Sequence, residues 1–208
     1  MSFHSNFLRN ILLPFGDLLF GQRMMARLKF LEEVQYWPRQ QIMEKQAQDL
    51  QALIQTAYAE VPFYRDLMNR AGVEPGEIRE PGDISRLPIV TKDMLREGYP
   101  EQTTRKTGQK TYQASTSGST GKNFYVMEDA ETAGWYRASF MLSLEWAGWK
   151  FGEPHLQTGI TPDRSLDRRL KDWLLNCYYF SAYSMDDEQI RKMLSVIDEK
   201  NLNHVWGY

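Results

Sequence analysis

Residues 111–127 read TYQASTSGSTGKNFYVM, and this stretch decides the fold that the sequence predicts. Its two ends, 111–114 and 124–127, are rich in aromatic and β-branched residues and predict two strands. The segment between them, 115–122, holds five hydroxyls, two glycines and one lysine. Glycines let neighbouring backbone N–H groups converge on one point, hydroxyls add donors, and Lys122 adds a positive charge. The loop is therefore predicted to bind an anion such as a chain of phosphates.

The same composition also suits a plain connector between the two strands of a hairpin, and that alternative stays open at the level of composition. The Walker A motif is excluded. That motif places four residues between its first glycine and the Gly-Lys pair, whereas only Ser119 and Thr120 separate Gly118 from Gly121. No helix is predicted directly after the loop, so anion binding by a helix dipole is not indicated either.

Length and composition narrow the class of protein. The chain has 208 residues, with 25 basic and 27 acidic side chains and a net charge of −2. This length suits one domain, or one domain with an appendage. The balanced charge argues against a nucleic-acid binder. A single cysteine, Cys177, excludes disulfide scaffolds and cysteine-based zinc sites and favours the cytoplasm. The longest apolar stretch, 11–20, is too short and too interrupted to span a membrane.

Residues 1–36 are predicted as a helical segment separate from the rest of the chain. Apolar residues recur there at helical spacing, as at Met25, Leu28 and Leu31. Two interpretations remain open. The segment is either a pair of helices that pack on the protein, or a basic amphipathic segment that lies on a membrane surface or on a partner.

The region 37–110 is predicted to be mainly helical. One helix carries Leu50, Leu53, Ile54 and Ala57 on one face and must end near Pro62, because proline disfavours a helical conformation in its predecessor. A second helix is predicted from Tyr64 to Ala71, ending at Gly72. Residues 72–85 are predicted as a loop, and Thr91 is predicted to cap a short helix at 92–97.

The second half of the chain alternates helices with strands, which is typical of parallel βαβ units and predicts an α/β fold. Strands are predicted at 155–160, 177–183 and 203–206. A helix after Asp129 has an apolar stripe, and so does a helix around 166–174. A last helix is predicted with Ser184 as its N-cap and Asp187 at the third helical position. The first stripe comprises Tyr136, Phe140, Leu144 and Ala147.

The loop resembles the phosphate loop of the adenylate-forming (ANL) superfamily, whose pattern is Thr-Ser-Gly-Ser/Thr-Thr-Gly-x-Pro. Upstream blocks are similar to one branch, the phenylacetate–CoA ligase and capsular-polysaccharide (CapK-type) family. These blocks include Val61-Pro62-Phe63-Tyr64-Arg65 and Leu87-Pro88-Ile89 followed by Thr91-Lys92. The resemblance covers 37–208. It implies an α/β fold: a helical segment at 1–36, then the incomplete N-terminal domain of an adenylate-forming enzyme at 37–208.

The resemblance also implies an activity. A carboxylate attacks the α-phosphate of Mg-ATP to give an acyl-adenylate, and CoA or another nucleophile then takes the acyl group. The implied cofactors are ATP, Mg²⁺ and CoA, and the implied partners are a small carboxylate and a nucleotide. In this family the loop holds the β- and γ-phosphates, an electrostatic and positioning role. The implied nucleotide-binding residues are Thr116, Ser117, Gly118, Ser119, Thr120, Gly121 and Lys122.

Two departures from the family pattern matter. Asn123 stands where the pattern has proline, and Phe124 stands where some relatives have lysine, so one phosphate-binding charge is missing. The family's adenine-binding block, ribose-binding aspartate and catalytic lysine are all expected beyond Tyr208. The chain is therefore expected to be a fragment that does not catalyse ATP–pyrophosphate exchange. The alternative is a non-catalytic interaction or nucleotide-binding module on a degenerate ligase fold.

Other residues have two interpretations each. His155 is either a buried structural histidine or part of an acyl pocket, and Cys177 is either a core thiol or a nucleophile. The acids Glu128, Asp129 and Glu131 either serve the start of a helix or bind magnesium. The aromatic residues that follow are expected to lie on a long helix and to face the protein core. The alternative is that they form a wall of an acyl pocket. They are Trp135, Tyr136, Trp146 and Trp149.

Overall fold

The computed structural model describes residues 6–21, 23–106, 108, 110–116, 123–161, 164–183 and 185–207. The chain divides into two compact units. Lys29–Tyr136 forms one of them, called here the continuous unit. The other, called the discontinuous unit, combines Met1–Leu28 with Arg137–Tyr208.

The continuous unit is mainly helical, and the discontinuous unit contains helices as well as a sheet. A π-helical turn at Leu8–Leu12 leads into the first α-helix. The α-helices are α1 (Leu13–Phe20), α2 (Met24–Val34), α3 (Arg39–Glu60), α4 (Pro62–Ala71), α5 (Lys92–Glu97), α6 (Ala130–Trp146), α7 (Leu166–Leu174) and α8 (Asp187–Lys200).

Pro62 sets the boundary between two consecutive helices of the continuous unit. Helix α3 ends at Glu60, as the position of Pro62 predicts. Helix α4 begins at Pro62 itself and not at Tyr64. The prediction was wrong there because proline suits the first helical position, where its missing N–H has no partner to lose. Gly72 ends α4 in the left-handed conformation, with φ of 65°, as predicted.

The segment 72–85 is more ordered than the predicted loop. It contains two short 3₁₀-helices, Pro75–Glu77 and Pro81–Arg86, each closed by a reciprocal capping box. Val73 and Ile78 from this region are buried with Ile54 and Met68, and these four side chains form the core of the unit. The two short helices thus serve to bring apolar side chains against α3 and α4.

The two strands that flank the loop form an antiparallel hairpin. Strand β1 (Thr111–Thr116) pairs with β2 (Phe124–Asp129) along its whole length, from Thr111↔Asp129 at one end to Thr116↔Phe124 at the other. Each strand is two residues longer than predicted. The hairpin therefore carries the loop at its Thr116–Phe124 end.

The discontinuous unit contains a parallel sheet of three strands in the order β4-β3-β5. They are β3 (His155–Gly159), β4 (Cys177–Ser181) and β5 (Val205–Trp206). Helix α7 connects β3 to β4, and α8 connects β4 to β5. These two βαβ units confirm the predicted α/β class, although β3 and β4 are shorter than expected.

Helix α6 buries a different face from the predicted one. Gly134, Ala138 and Leu142 are its buried positions. Tyr136 and Phe140, from the predicted stripe, are exposed. Trp146 is exposed as well, so of the four aromatic residues expected in the core only Trp149 is fully buried, and it lies beyond the helix. The prediction failed because the helix is apolar on more than one face, and small residues allow the closest packing.

Helix α8 is capped by Asp186, whose carboxylate accepts a hydrogen bond from the Gln189 N–H at 2.8 Å. Asp187 is therefore the first helical residue and not the third. The predicted cap, Ser184, lies outside the described residues. The sequence was ambiguous here because an acid at position 186 can serve the same purpose as the serine two residues earlier.

The helical segment at the N-terminus contributes to the core of its unit. Leu8 is 0% exposed and clusters with Trp149 and Phe151. The carboxylate of Asp17 accepts hydrogen bonds from the backbone N–H groups of Met24 and Met25, which fixes the start of α2. Among the described residues, no helix combines the length and the apolar character that crossing a membrane requires. Membrane-surface contact by 1–36 and the boundary at 36/37 stay predictions.

Candidate functional site

The hairpin presents the predicted anion-binding loop at its tip. The pairing of Thr116 with Phe124 brings the two ends of the loop side by side. Thr116 is the last residue of β1 and is exposed. Of the seven predicted nucleotide-binding residues, the other six (Ser117, Gly118, Ser119, Thr120, Gly121 and Lys122) lie outside the described residues.

Helix α5 supports the strand that leaves the loop. The Arg96 Nε donates a hydrogen bond to the Asn123 carbonyl at 3.2 Å, and Arg96 also pairs with Asp93 on its own helix. Just after the helix, the Tyr99 ring stacks on Tyr125, with ring centroids 6.1 Å apart. Asn123, which stands where the pattern of the resembling family has proline, is thus held through its backbone oxygen.

A second cation of α5 lies near Phe124, the position where some members of the resembling family have lysine. The Nζ of Lys92 lies 5.9 Å from the centroid of the Phe124 ring. A cavity of about 240 Å³ adjoins this strand and is lined in part by Arg96, Asn123 and Phe124. The sequence analysis did not assign Lys92 or Arg96 to the site. Their spacing of four places both on one face of a helix, but only the fold shows that this face meets the exit of the loop.

The acidic cluster lies at the opposite end of the hairpin from the loop. Asp129 pairs with Thr111 there, and its carboxylate accepts a hydrogen bond from the Thr132 N–H at 2.7 Å. That hydrogen bond is the main cause that lowers the pKa of Asp129, and partial burial opposes it. Asp129 therefore caps α6, which agrees with the interpretation that these acidic residues serve the start of a helix. Within the described ranges, no group of three His, Cys, Asp or Glu side chains is arranged to hold a metal ion.

The surroundings of His155 and Cys177 in the discontinuous unit favour a structural role for both residues. His155 is buried and stacked on Trp206, with ring centroids 4.0 Å apart, and its Nδ1 lies 3.1 Å from the Glu153 carbonyl oxygen. Burial lowers the pKa of His155. Burial also raises the pKa of the Cys177 thiol to about 12, and this thiol donates to the Gln157 Oε1 at 3.5 Å. A thiol so rarely ionised is a poor nucleophile, which favours the core interpretation.

Comparison with solved structures shows the fold. The chain is similar to 2-hydroxyisobutyryl-CoA ligase in the postadenylation state, solved in complex with R3-HIB-AMP, with a TM-score of 0.54 and 18% identity. The same ligase in complex with 2-HIB-AMP gives a TM-score of 0.52. The similarity covers 81% of this chain and 36% and 37% of those chains, respectively. The chain thus has part of the fold of an adenylate-forming CoA ligase.

Sequence comparison points to one group of such ligases. The chain is similar to the phenylacetate–coenzyme A ligase of Thermus thermophilus, with 36% identity over 73 residues. It is also similar to the phenylacetate–coenzyme A ligase of Escherichia coli, with 37% identity over 78 residues. These matches cover 35% and 37% of this chain, and 16% and 18% of the relatives.

A third relative, the phenylacetate–coenzyme A ligase of Aromatoleum evansii, is 27% identical over 106 residues, or 49% of this chain and 24% of the relative. No family model matches the chain. The matches therefore span at most about a quarter of these curated relatives. Together with the fold, they support the adenylate-forming ligase family.

Proposed function

We propose that the chain is part of an ATP-dependent, AMP-forming ligase that activates a carboxylate, and that residues 116–122 bind the β- and γ-phosphates of ATP. One observation carries this proposal: the hairpin register brings the two ends of a glycine- and hydroxyl-rich loop together beside two cations of α5. The similarity to three phenylacetate–coenzyme A ligases supports it.

Each part of this arrangement has a physical role in the proposal. The backbone N–H groups and hydroxyls of the loop donate hydrogen bonds to phosphate oxygens, and Lys122 offsets their charge. Arg96 holds the Asn123 carbonyl and so fixes the strand that follows the loop. Lys92 adds positive charge where Phe124 replaces a lysine of the family pattern. ATP, bound with Mg²⁺, would supply the phosphoryl group that converts a carboxylate into an acyl-adenylate.

The finer assignments belong to the same proposal. They are CoA or another nucleophile as the acyl acceptor, a CapK-type role in polysaccharide biosynthesis, a cytoplasmic location and no nucleic-acid partner. The 208-residue chain by itself is proposed to be inactive in ATP–pyrophosphate exchange, and measurable exchange with any carboxylate would contradict that point.

The test of the loop is a binding measurement on the 208-residue chain with inorganic tripolyphosphate, which needs only the phosphate-binding groups. Lys122→Ala is expected to weaken binding about tenfold or more, because a hydrogen bond to a charged group contributes about 1.5–3 kcal/mol. Gly118→Val is expected to weaken it as well, since a side chain obstructs the approach of phosphate to the backbone. Isothermal titration calorimetry measures both effects.

The matched control is Lys110→Ala. Lys110 precedes β1 and lies 5.2 Å from the centroid of the Tyr112 ring, at the end of the hairpin opposite the loop. We expect this variant to bind like the parent chain. Equal losses for Lys110→Ala and Lys122→Ala, or no binding by the parent chain, would contradict the proposal. Binding without any exchange activity in a protein that carries the remaining family blocks would favour the non-catalytic module.

A further inference from the structure

Strand β4 forms an open edge of the parallel sheet. The strand order is β4-β3-β5, so among the described residues β3 is the only strand that pairs with β4. The His155 N–H donates a hydrogen bond to the Asn176 carbonyl at 3.1 Å, and the Ala182 N–H donates one to the Gly159 carbonyl at 2.8 Å. The residues on either side of β4 therefore direct these backbone groups toward β3.

The backbone groups of alternate residues in β4 point away from β3. In a parallel strand the N–H and C=O of one residue point to the same side, and the side alternates along the chain. Because Asn176 and Ala182 face β3, Cys177, Tyr179 and Ser181 face the open edge. Such a row of N–H and C=O groups without a strand partner is a template on which another strand can pair.

The side chains of β4 do not protect this edge. Edge strands commonly carry a charge, a proline or a bulge that prevents a further strand from pairing. Strand β4 reads CYYFS, without a charge or a proline, and it pairs with β3 residue for residue, without a bulge. All five of its residues are half-buried. The edge is thus suited to accept a further strand.

Helices α7 and α8 flank the open edge. Together with all five residues of β4 they line a groove of about 970 Å³, called here the β4 groove. Helix α7 contributes Arg169 and Trp173, and α8 contributes Gln189, Lys192 and Val196. Trp173 is 69% exposed, so its ring is available to pack against the side chains of an incoming strand. The groove therefore combines open backbone groups with apolar and charged side chains.

The charged groups that line the β4 groove are three cations and one acid. The acid, Asp172, is engaged by Arg164, with 3.1 Å between the Nε and a carboxylate oxygen. Arg169 and Lys192 are exposed, and no acid of the described ranges lies within ion-pair distance of either. The acids at the start of α8, at 187 and 188, do not line the groove. The groove thus offers positive charge from both of its helices.

We propose that the β4 groove binds an extended acidic peptide segment of a partner protein. The segment adds a strand to the sheet beside β4 and places its carboxylates near Arg169 and Lys192. Backbone hydrogen bonds supply the affinity, and the two cations select for acidic side chains. A second copy of this chain would bring the same two cations to the interface, and their mutual repulsion disfavours it. No residue of the phosphate loop lines the groove, so this inference does not rest on the proposed function.

The test uses the full 208-residue chain and a synthetic peptide of four Glu-Val repeats, acetylated at one end and amidated at the other. Isothermal titration calorimetry is expected to give one binding site. The same peptide with every backbone nitrogen methylated is expected to bind at least about tenfold more weakly, because it cannot donate hydrogen bonds to β4. A peptide of four Lys-Val repeats is expected to bind at least about tenfold more weakly as well, because its charge is reversed.

Two double variants test the cations of the groove. Arg169→Gln with Lys192→Gln is expected to reduce the affinity for the Glu-Val peptide about tenfold or more. The matched control is Arg168→Gln with Arg191→Gln, which removes the neighbouring cations of the same two helices. Neither of these neighbours lines the groove, so the control should change the affinity less than about twofold.

Four results would each overturn the proposal. They are equal losses for the two double variants, equal affinities for the Glu-Val and Lys-Val peptides, undiminished binding of the methylated peptide, and no binding of the Glu-Val peptide. Analytical ultracentrifugation of the chain without peptide tests the other occupant. Self-association that strengthens in Arg169→Gln with Lys192→Gln would show that a second copy occupies the edge, which would also overturn the proposal.

Discussion

At the scale of single residues, the Tyr179 hydroxyl fastens the segment that follows β3. It accepts a hydrogen bond from the Thr161 N–H at 3.1 Å and donates one to the Thr161 carbonyl at 2.9 Å. The ring can reach this position because Gly159 has no side chain. An added Cβ at Gly159 would lie 2.8 Å from the Tyr179 hydroxyl oxygen. A glycine and a tyrosine on neighbouring strands thus form one fixed unit.

Gly159→Ala is expected to destabilise the protein by about 1–3 kcal/mol, the range for overpacking a well-filled site. The tyrosine cannot simply move aside, since it would lose both hydrogen bonds to Thr161 and its contact with Arg164. Urea denaturation followed by tryptophan fluorescence measures the change in free energy of unfolding.

Gly76→Ala is the control for this substitution, because no atom lies within 4 Å of the added Cβ. Its expected effect is within about 0.5 kcal/mol. In a Tyr179→Phe background, Gly159→Ala should cost less than in the parent chain, since the closest atom is gone. An unchanged cost in that background would show that the strain does not come from the tyrosine.

At the scale of elements, the carboxylate of Asp129 links the end of β2 to the start of α6. Asp129→Ala is expected to destabilise the protein by about 1 kcal/mol at pH 7, the usual loss for a removed N-cap. Asp129→Asn keeps a hydrogen-bond acceptor and should lose less. Urea denaturation of the three proteins at a series of pH values measures both differences.

The pH dependence of this cap has a definite sign. The folded state lowers the pKa of Asp129 below its ordinary value of 3.8, chiefly through the Thr132 N–H. The contribution of the ionised carboxylate is therefore fully present above that ordinary pKa and is lost as the pH falls through the lower, folded value. The difference between the parent and Asp129→Ala should shrink in that acid range. A difference that stays constant from pH 7 to pH 2 would contradict the role of the charge.

The positions of most helices and strands could be predicted from local signals in the sequence. The face that each helix buries could not. Pro62 and Gly72 mark helix ends through their backbone conformations and Thr91 through its side-chain hydroxyl, all acting within a few residues, and the structure confirms a boundary at each. The direction in which a helix faces depends on packing against distant residues. Tyr136 on α6 faces outward for this reason, as does Trp173 on α7.

The candidate site could likewise be predicted only in part. The composition of the loop and its family pattern identify residues 116–122 as phosphate-binding candidates, and they remain candidates. Arg96 and Lys92 could not be assigned, because their nearness to Asn123 and Phe124 arises from packing between a helix and a strand far apart in sequence.

At the scale of the whole molecule, the N-terminal segment is part of the core of the discontinuous unit. Leu8→Ala is expected to destabilise that unit by about 2–5 kcal/mol, since it leaves a cavity against Trp149 and Phe151. Ile11→Ala, three residues later and 57% exposed, is the control and should change stability by less than about 0.5 kcal/mol. Thermal unfolding followed by tryptophan fluorescence measures both. Equal effects would indicate that Leu8 does not pack as described.

The division of the chain into a continuous and a discontinuous unit has a consequence for its synthesis. The ribosome releases residues 29–136 as one uninterrupted run, so that unit can fold while translation continues. Leu8, by contrast, precedes Trp149 and Phe151 in the chain with the whole continuous unit between them, so its cluster can be completed only after that unit has been synthesised. The discontinuous unit therefore cannot complete its core before the continuous unit has been made.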